Sequence, residues 1–337
     1  MLGPSANFGH QEGDSENLSG HEIAVLICTY RRPEGLLNLL QAMAVQDVPV
    51  DTKLDVVVVD NDPNESGRAV MPLAPCRWPI TYLVEPRPGI PAARTTALTE
   101  GLKRELLAFI DDDETPAVDW LSELLSAFLS SGADGVTGGV SYDYDGAVAD
   151  WVREGGFFDQ PIIPDGADVP FAATGSLLLS SSRLKELGVI EFDEDYRFTG
   201  GSDTAFTQRF VQRGGRIVWC EKAKATERVP LNRSSRLWAL RRAYRTGNVT
   251  AKSNLARAAG KSQRLSCRLT SVLRGLARIL AASPKLIVGL VRRRPRQVGT
   301  ALRQMARGAG IIGAALGHSY QEYRRPNLAE EAGASGV

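Results

Sequence analysis

Four near-continuous apolar runs, each leading into a polar turn, constrain this chain more than any other feature. They are Ile23-Ala-Val-Leu-Ile-Cys28, Leu54-Asp-Val-Val-Val-Val59, Ile80-Thr-Tyr-Leu-Val84 and Leu106-Leu-Ala-Phe-Ile110. Runs of this length and composition read as strands buried on both faces. Between them lie stretches with helical spacing. Leu36, Leu37, Leu40 and Met43 follow Pro33, a residue suited to a first helical position. Further helices are expected from Ile90 to Lys103 and from Asp119 to Ser130. Such alternation predicts an α/β domain, with a mostly parallel sheet, helices on both faces and right-handed crossovers.

Ligands of open α/β sheets bind beyond the carboxyl ends of the strands. Three of the four strands deliver polar residues there: Thr29 and Arg31, then Asp60, then Asp111-Asp-Asp-Glu114. Four consecutive acids repel one another unless a cation joins them. Their hard oxygens suit Mg²⁺ or Mn²⁺, ions that bridge carboxylates to a substrate phosphate. An acidic turn ahead of the helix at Asp119 is the competing reading. No G-x-G-x-x-G follows the first strand and no G-x-x-x-x-G-K-[ST] occurs, which disfavours dinucleotide and P-loop sites.

Downstream, Gly135–Val140 reads as a strand. Residues 141–170 form a long irregular stretch with Tyr142, Tyr144, Trp151, Phe157 and Phe158. Those rings suit either stacking on a sugar or packing the loop onto its own domain. A strand over Ala173–Leu179 and a short helix over Ser182–Leu187 come next. Gly200-Gly201 then gives a turn, and Ser202 or Asp203 caps a helix with Phe206, Phe210 and Val211 on its apolar face. Capping alone accounts for an acid at Asp203. Arg216–Cys220 reads as the last strand, followed by Glu227.

The charge distribution is lopsided. Residues 1–227 carry 18 Lys and Arg against 36 Asp and Glu, whereas residues 228–321 carry 20 Lys and Arg and no acid. A basic segment of this kind points to phosphate, anionic lipid or nucleic acid. It holds a helical leucine stripe (Leu265, Leu269, Leu273, Leu276, Leu280) decorated with Arg264, Arg268, Arg274 and Arg278. No apolar run reaches the ~18 residues of a spanning helix. The stripe suits either a helix lying in a membrane interface or a lid on the catalytic domain. No recognisable nucleic-acid module is present. Cys28, Cys76, Cys220 and Cys267 form no C-x-x-C pair, which fits a reducing compartment. Residues 1–20 lack an apolar core and read as a disordered leader rather than a signal peptide.

Ile23–Arg31, Val56–Asp62, Gly89-Ile-Pro-Ala-Ala-Arg94, Asp111-Asp-Asp113 ahead of Asp119-Trp-Leu121, and Gly201-Ser-Asp203 together resemble the ordered motifs of family 2 glycosyltransferases of GT-A fold. Phe198–Arg213, Glu227-Arg-Val-Pro230 and Leu240-Arg-Arg-Ala-Tyr-Arg245 are similar to the subset that includes a succinoglycan glucosyltransferase. The resemblance implies that Thr29, Arg31, Asp60 and Arg94, with Asp111 and Asp112, bind the nucleotide-sugar. It implies that Asp113, supported by Asp111, takes Mn²⁺ or Mg²⁺, and that Asp203 is the catalytic base. Ser202 stands where the family often has Glu, and Glu227 is an additional candidate ligand.

The expected organisation is a leader (1–20), a GT-A catalytic domain (21–247), a basic helical region (248–325) and a disordered tail (326–337). The expected function is inverting transfer from a UDP-sugar to a glycan or lipid-linked acceptor, at the inner face of the plasma membrane. Residues 257–307 would contact the anionic membrane surface, and no nucleic acid is expected as a partner. The alternatives are a sugar-nucleotidyltransferase and a non-catalytic sugar- or nucleic-acid-binding protein.

Overall fold

The computed structural model describes residues 20–320, apart from 160, 161, 231, 232, 234, 257 and 259. The expected leader, except Gly20, and the expected tail lie outside the described residues. The α/β half runs β1 (Glu22–Thr29), α1 (Pro33–Ala44), β2 (Lys53–Asp60), β3 (Ile80–Val84), α2 (Ile90–Gly101), β4 (Leu106–Asp111), β5 (Glu114–Pro116) and α3 (Trp120–Ser131). It continues with β6 (Gly135–Tyr144), α4 (Asp150–Arg153), β7 (Leu177–Ser180), α5 (Ser181–Glu186), α6 (Ser202–Gln212) and β8 (Ile217–Val229). Among the described residues, one sheet orders these strands β3-β2-β1-β4-β7-β6-β8-β5. β1 pairs in parallel with β2 and β4, and β2 with β3. β7 is the antiparallel insertion that joins β4 to β6.

The runs of β1, β2 and β4 are buried on both faces, as their composition dictates. β3 departs from that expectation: as the edge strand of the sheet it is only half-buried, with Thr81 exposed. Leu36, Leu39, Leu40 and Met43 of α1 and Trp120, Leu121, Leu124 and Leu125 of α3 form one core layer with the sheet. Ala93, Ala97 and Leu98 of α2 and Phe206 and Phe210 of α6 form the other. The small alanines let α2 lie close to the strands. The fully buried Trp120 indole donates to Ser176 Oγ at 2.8 Å, so its N–H is not orphaned.

The structure departs from expectation where the pattern is not apolar. β8 continues nine residues past Cys220, to Val229. Its extension alternates buried Ala223 and Ala225 with exposed Lys222 and Lys224, a period-two signal carried only by alanine. β6 extends with it, to Tyr144, across a register shift at Gly138/Gly139. The three-residue β5 had no sequence signal. α6 is capped by Gly201, at φ 89°, and not by Ser202 or Asp203. A side chain at Gly201 would meet Val249 at 2.5 Å, so the turn also needs the missing Cβ for close packing.

Three helices follow: α7 (Arg236–Ala256), α8 (Gly260–Val291) and α9 (Pro295–Ala315). Asn248, where the helical region was expected to begin, lies within α7. α9 packs between α7 and α8 and also reaches α4. Small residues make these approaches possible. A Cβ on Gly299 would run into the Trp151 carbonyl, and one on Gly310 into the Tyr244 carbonyl. The basic region is therefore docked on the α/β half.

Gly299→Ala is expected to lower stability by about 1–3 kcal/mol, the usual cost of overpacking. Urea unfolding checks this; an unchanged midpoint would mean that α9 is not held at that contact.

Candidate active site

β1 and β4 run side by side, with Cys28 opposite Asp111. Their carboxyl ends therefore bring Thr29 beside the acid cluster. Thr29 Oγ1 donates to Asp112 Oδ2 at 2.8 Å. Arg32 Nη1 donates to Asp112 Oδ1 at 2.8 Å and to Asp113 Oδ2 at 2.7 Å. Arg233, from the segment after β8, donates to the same Asp113 oxygen at 3.1 Å. Burial pushes the Asp112 carboxyl up to about 6, against the pull of Arg32.

On the other side of the cluster, buried Arg94 of α2 donates to Asp111 Oδ1 at 3.1 Å and to Ser202 Oγ at 3.2 Å. Burial works against the Arg94 charge, but Asp111 and Asp203 outweigh it and raise its pKa. Arg94 thus ties the acid cluster to the first turn of α6, where Asp203 lies. Asp203 Oδ1 accepts from the Thr204 N–H at 2.7 Å.

Beside these acids is a second pair, the buried Glu114 and the half-buried Glu227. Glu114 Oε2 accepts the Asp111 N–H at 3.1 Å, and Glu114 lies opposite Glu227 in the β5–β8 ladder. Burial raises Glu114 well above the ordinary carboxylate range, with Asp111 and Asp113 adding to the effect. Burial and the Asp113 charge push Glu227 up to about 7, against Arg242 and Arg233.

Two expected residues sit further from the acids. Asp60 is fully buried; its Oδ2 accepts from the Gly67 N–H and the Tyr82 hydroxyl, both at 2.7 Å. It shapes the turn after β2. Arg31 takes a left-handed backbone (φ 53°) and its Nε donates to Asp62 Oδ2 at 3.3 Å. A non-glycine residue in this region marks a constrained turn. The stretch expected to be irregular is partly regular, with Tyr142 and Tyr144 on β6 and Trp151 on α4, and its aromatic rings pack among themselves and on α7. Tyr142 and Tyr144 meet Phe158 edge-on, and Phe158 stacks on Trp238. Arg242 lies over the Tyr142, Phe158 and Trp238 rings.

A cleft of about 550 Å³ opens over this arrangement, lined among others by Arg32, Asp112, Asp113, Glu114, Arg228 and Arg233. The donor set is all carboxylate, which suits a hard divalent ion. Among the described residues, no group of three such side chains stands ready to hold a metal unaided. Further ligands would have to come from a phosphate and water. The sequence assigns no site role to Arg32 or Arg233, and it offers Glu114 only as the last acid of the cation-binding run. Arg32 sits next to the motif at Thr29 and Glu114 closes the acid run; Arg233 lies in a stretch with no periodic signal.

The description "Glycosyl transferase family 2" belongs to a family model that matches residues 24–188. The chain is 32% identical over 297 residues to the succinoglycan biosynthesis protein ExoM of Rhizobium meliloti (strain 1021), covering 88% of this chain and 93% of that protein. Among solved structures it is similar to GalNAc-T7 with UDP, GalNAc and Mn²⁺ (TM-score 0.50, 15% identity, 76% of this chain and 55% of that one). It is also similar to S. aureus TarS 1-349 in complex with UDP (TM-score 0.49, 14% identity, 91% and 94%).

The native pKa of Glu227 exceeds its ordinary value, so the folded chain binds that proton more tightly than the unfolded chain does. Stability therefore falls as pH rises from about 4.5 to about 7. In metal-free protein, Glu227→Gln is expected to raise stability by on the order of 1–3 kcal/mol at about pH 8 and to change little at about pH 4. Denaturant titrations at the two pH values test it; a gain of equal size at both would reject the buried-charge account.

Proposed function

Because the chain belongs to the family 2 glycosyltransferases, we propose that it transfers a sugar from a UDP-sugar to a hydroxyl of a glycan or lipid-linked acceptor, with inversion at the anomeric carbon. The observation that carries this reading is the acid cluster at the end of β4, bracketed by Arg32 and Arg233 on one side and by Arg94 and α6 on the other. We assign the donor to the cleft over Asp112 and Asp113, with Thr29, Arg31, Asp60, Arg94, Asp111 and Asp112 binding or shaping the nucleotide-sugar pocket. Polysaccharide biosynthesis is the favoured setting, since the ExoM relative is named for that role.

Mn²⁺ or Mg²⁺ is the proposed cofactor, with Asp113 as its main protein ligand and Asp111 in support. When bound, such an ion offsets the negative charge that builds on the departing diphosphate. The fit rests on the chemistry of the carboxylates, and on the mutual repulsion of Asp111, Asp113, Glu114 and Glu227. In the free protein, Asp113 is neutralised by Arg32 and Arg233. A diphosphate entering the cleft offers both guanidiniums a stronger, bidentate partner. Asp113 is then released for the ion.

The acceptor hydroxyl is a poor nucleophile and needs a carboxylate within hydrogen-bond reach to take its proton. Asp203 is assigned that role. Arg94 binds both Asp111 and Ser202, and so fixes the base-bearing helix against the acid cluster. One base and one in-line displacement give inversion. The place of action we propose is the cytoplasmic face of the plasma membrane, with the basic helical region as the contact.

Asp203→Asn is expected to lower kcat by roughly 10²–10⁴-fold while UDP affinity stays unchanged. A transfer assay beside UDP calorimetry decides; normal turnover would remove Asp203 as the base. Mn²⁺ titrated alone is expected to bind more weakly than Mn²⁺ titrated with UDP, and Asp113→Ala should abolish the UDP-dependent gain. Equal Mn²⁺ affinity with and without UDP would reject the arginine exchange.

A further inference from the structure

α8 is 32 residues long and packs on α9 through one narrow seam, where Ser271, Gly275, Ala282 and Gly289 are buried. Most of the rest of the helix is exposed. Leu265 is 60% exposed, Leu269 59%, Leu273 66%, Leu276 45%, Leu280 70% and Ile287 63%. At about 100° per residue, these six fall within an arc of roughly 80°, turned away from the seam. Arg274, Arg278 and Lys285 fall on an arc of roughly 40° on the opposite flank. All three are exposed.

The apolar flank extends beyond α8. Ile279 sits on the leucine side of the seam and walls an apolar trough of about 620 Å³. Leu302, Met305 and Ala309 of α9 and Leu240 and Tyr244 of α7 line it too, and Arg241, His318 and Tyr320 also border it. A monomeric soluble surface seldom leaves so much contiguous apolar side chain in water.

From this we infer that α8 is an in-plane membrane-docking helix, whose row Leu265–Ile287 enters the interface of an anionic bilayer. The inference rests on the reading of the chain as a transferase acting at a membrane, and names the surface that makes the contact. An apolar face opposite a Lys/Arg face is the pattern of helices that lie in the headgroup layer. Lys261 and Arg268 fall within roughly 60° of the row's edge at its N-terminal end, and Arg292-Arg293-Arg294 follow the C-terminal end of the helix. Their long side chains reach headgroups while the row is buried. No helix among the described residues is long and apolar enough to cross a membrane, so the contact is made along the surface. A second copy of the chain is a poor occupant, because residues 228–321 hold 20 cations and no acid. Two such faces brought together repel.

Co-flotation of the full chain with vesicles of phosphatidylcholine and phosphatidylglycerol tests this. Wild type is expected to float, more completely than with phosphatidylcholine alone. The double variant Leu273→Glu/Leu280→Glu is expected to lose partition by roughly tenfold or more, since burying one leucine is worth at least that much. Both side chains are exposed, so the variant should keep its melting temperature and its hydrolysis of the sugar donor. Leu273→Trp should show blue-shifted emission and quenching by brominated lipid. Asp203→Asn should float like wild type, which separates docking from the catalytic reading. Wild type that stays unfloated, a double variant that floats normally, or an unquenched Leu273→Trp each overturns the inference. So does a dimer of wild type that the double variant dissociates, which would make the row a contact between copies.

Discussion

Four carboxylates crowd the end of β4 and the strand that follows it in the chain, and the structure depends on how their repulsion is contained. Asp111, Asp112, Asp113 and Glu114 are consecutive, and Glu227 adds a fifth acid across the β5–β8 ladder. Nothing local cancels that charge. The compensating guanidiniums come from three separate places: Arg32 after β1, Arg94 on α2 and Arg233 after β8. The sheet order puts these segments around one point, since β1 and β4 are neighbours and β8 carries β5 at its edge. Burial, with the neighbouring carboxylates adding to it, raises the carboxyl pKa values at Asp112, Glu114 and Glu227. A site that stays short of cationic charge when empty is one that gains by taking a cation in.

The same balance explains why Asp113 differs from its neighbours. Asp112 is sealed by Thr29 and Arg32 with only 7% of its side chain exposed, whereas 23% of the Asp113 side chain reaches the cleft. Two arginines share one oxygen of Asp113. Such contacts exchange readily for a phosphate because Arg presents the same fork to either anion. The Thr29–Asp112 bond, in contrast, is a short buried link between two adjacent strands and belongs to the scaffold.

Much of this was legible in the sequence because the physics was local. The buried strands of the α/β half announced themselves as apolar runs, and the acids followed one of them directly. β3 was bounded as observed, and the ends of α2 and α3 fell within two residues of expectation. What escaped was written in weaker signals. The extension of β8 alternates alanine with lysine, which buries a face without looking apolar. Arg233 becomes a site residue only through tertiary placement, at a separation of 120 residues from Asp113. The loop aromatics allowed two readings, and the rings of Tyr142, Phe158 and Trp238 are engaged with one another and with Arg242.

The helical region follows a different logic from the α/β half, and its charge dictates it. A segment with 20 cations and no acid from 228 to 321 cannot hold itself together by ion pairs of its own. Nor can it use a thick apolar core, since α8 turns most of its large side chains outward. What remains is close backbone packing, and that is how it is built. Gly247 meets the Arg307 carbonyl, Gly275 meets Ile312 and the Gly308 carbonyl, and Gly299 meets Trp151. Glycine seams of this kind give contact without consuming the leucines. The large apolar side chains of α8 are therefore free for something outside the chain, and the tertiary structure of the region does not require them.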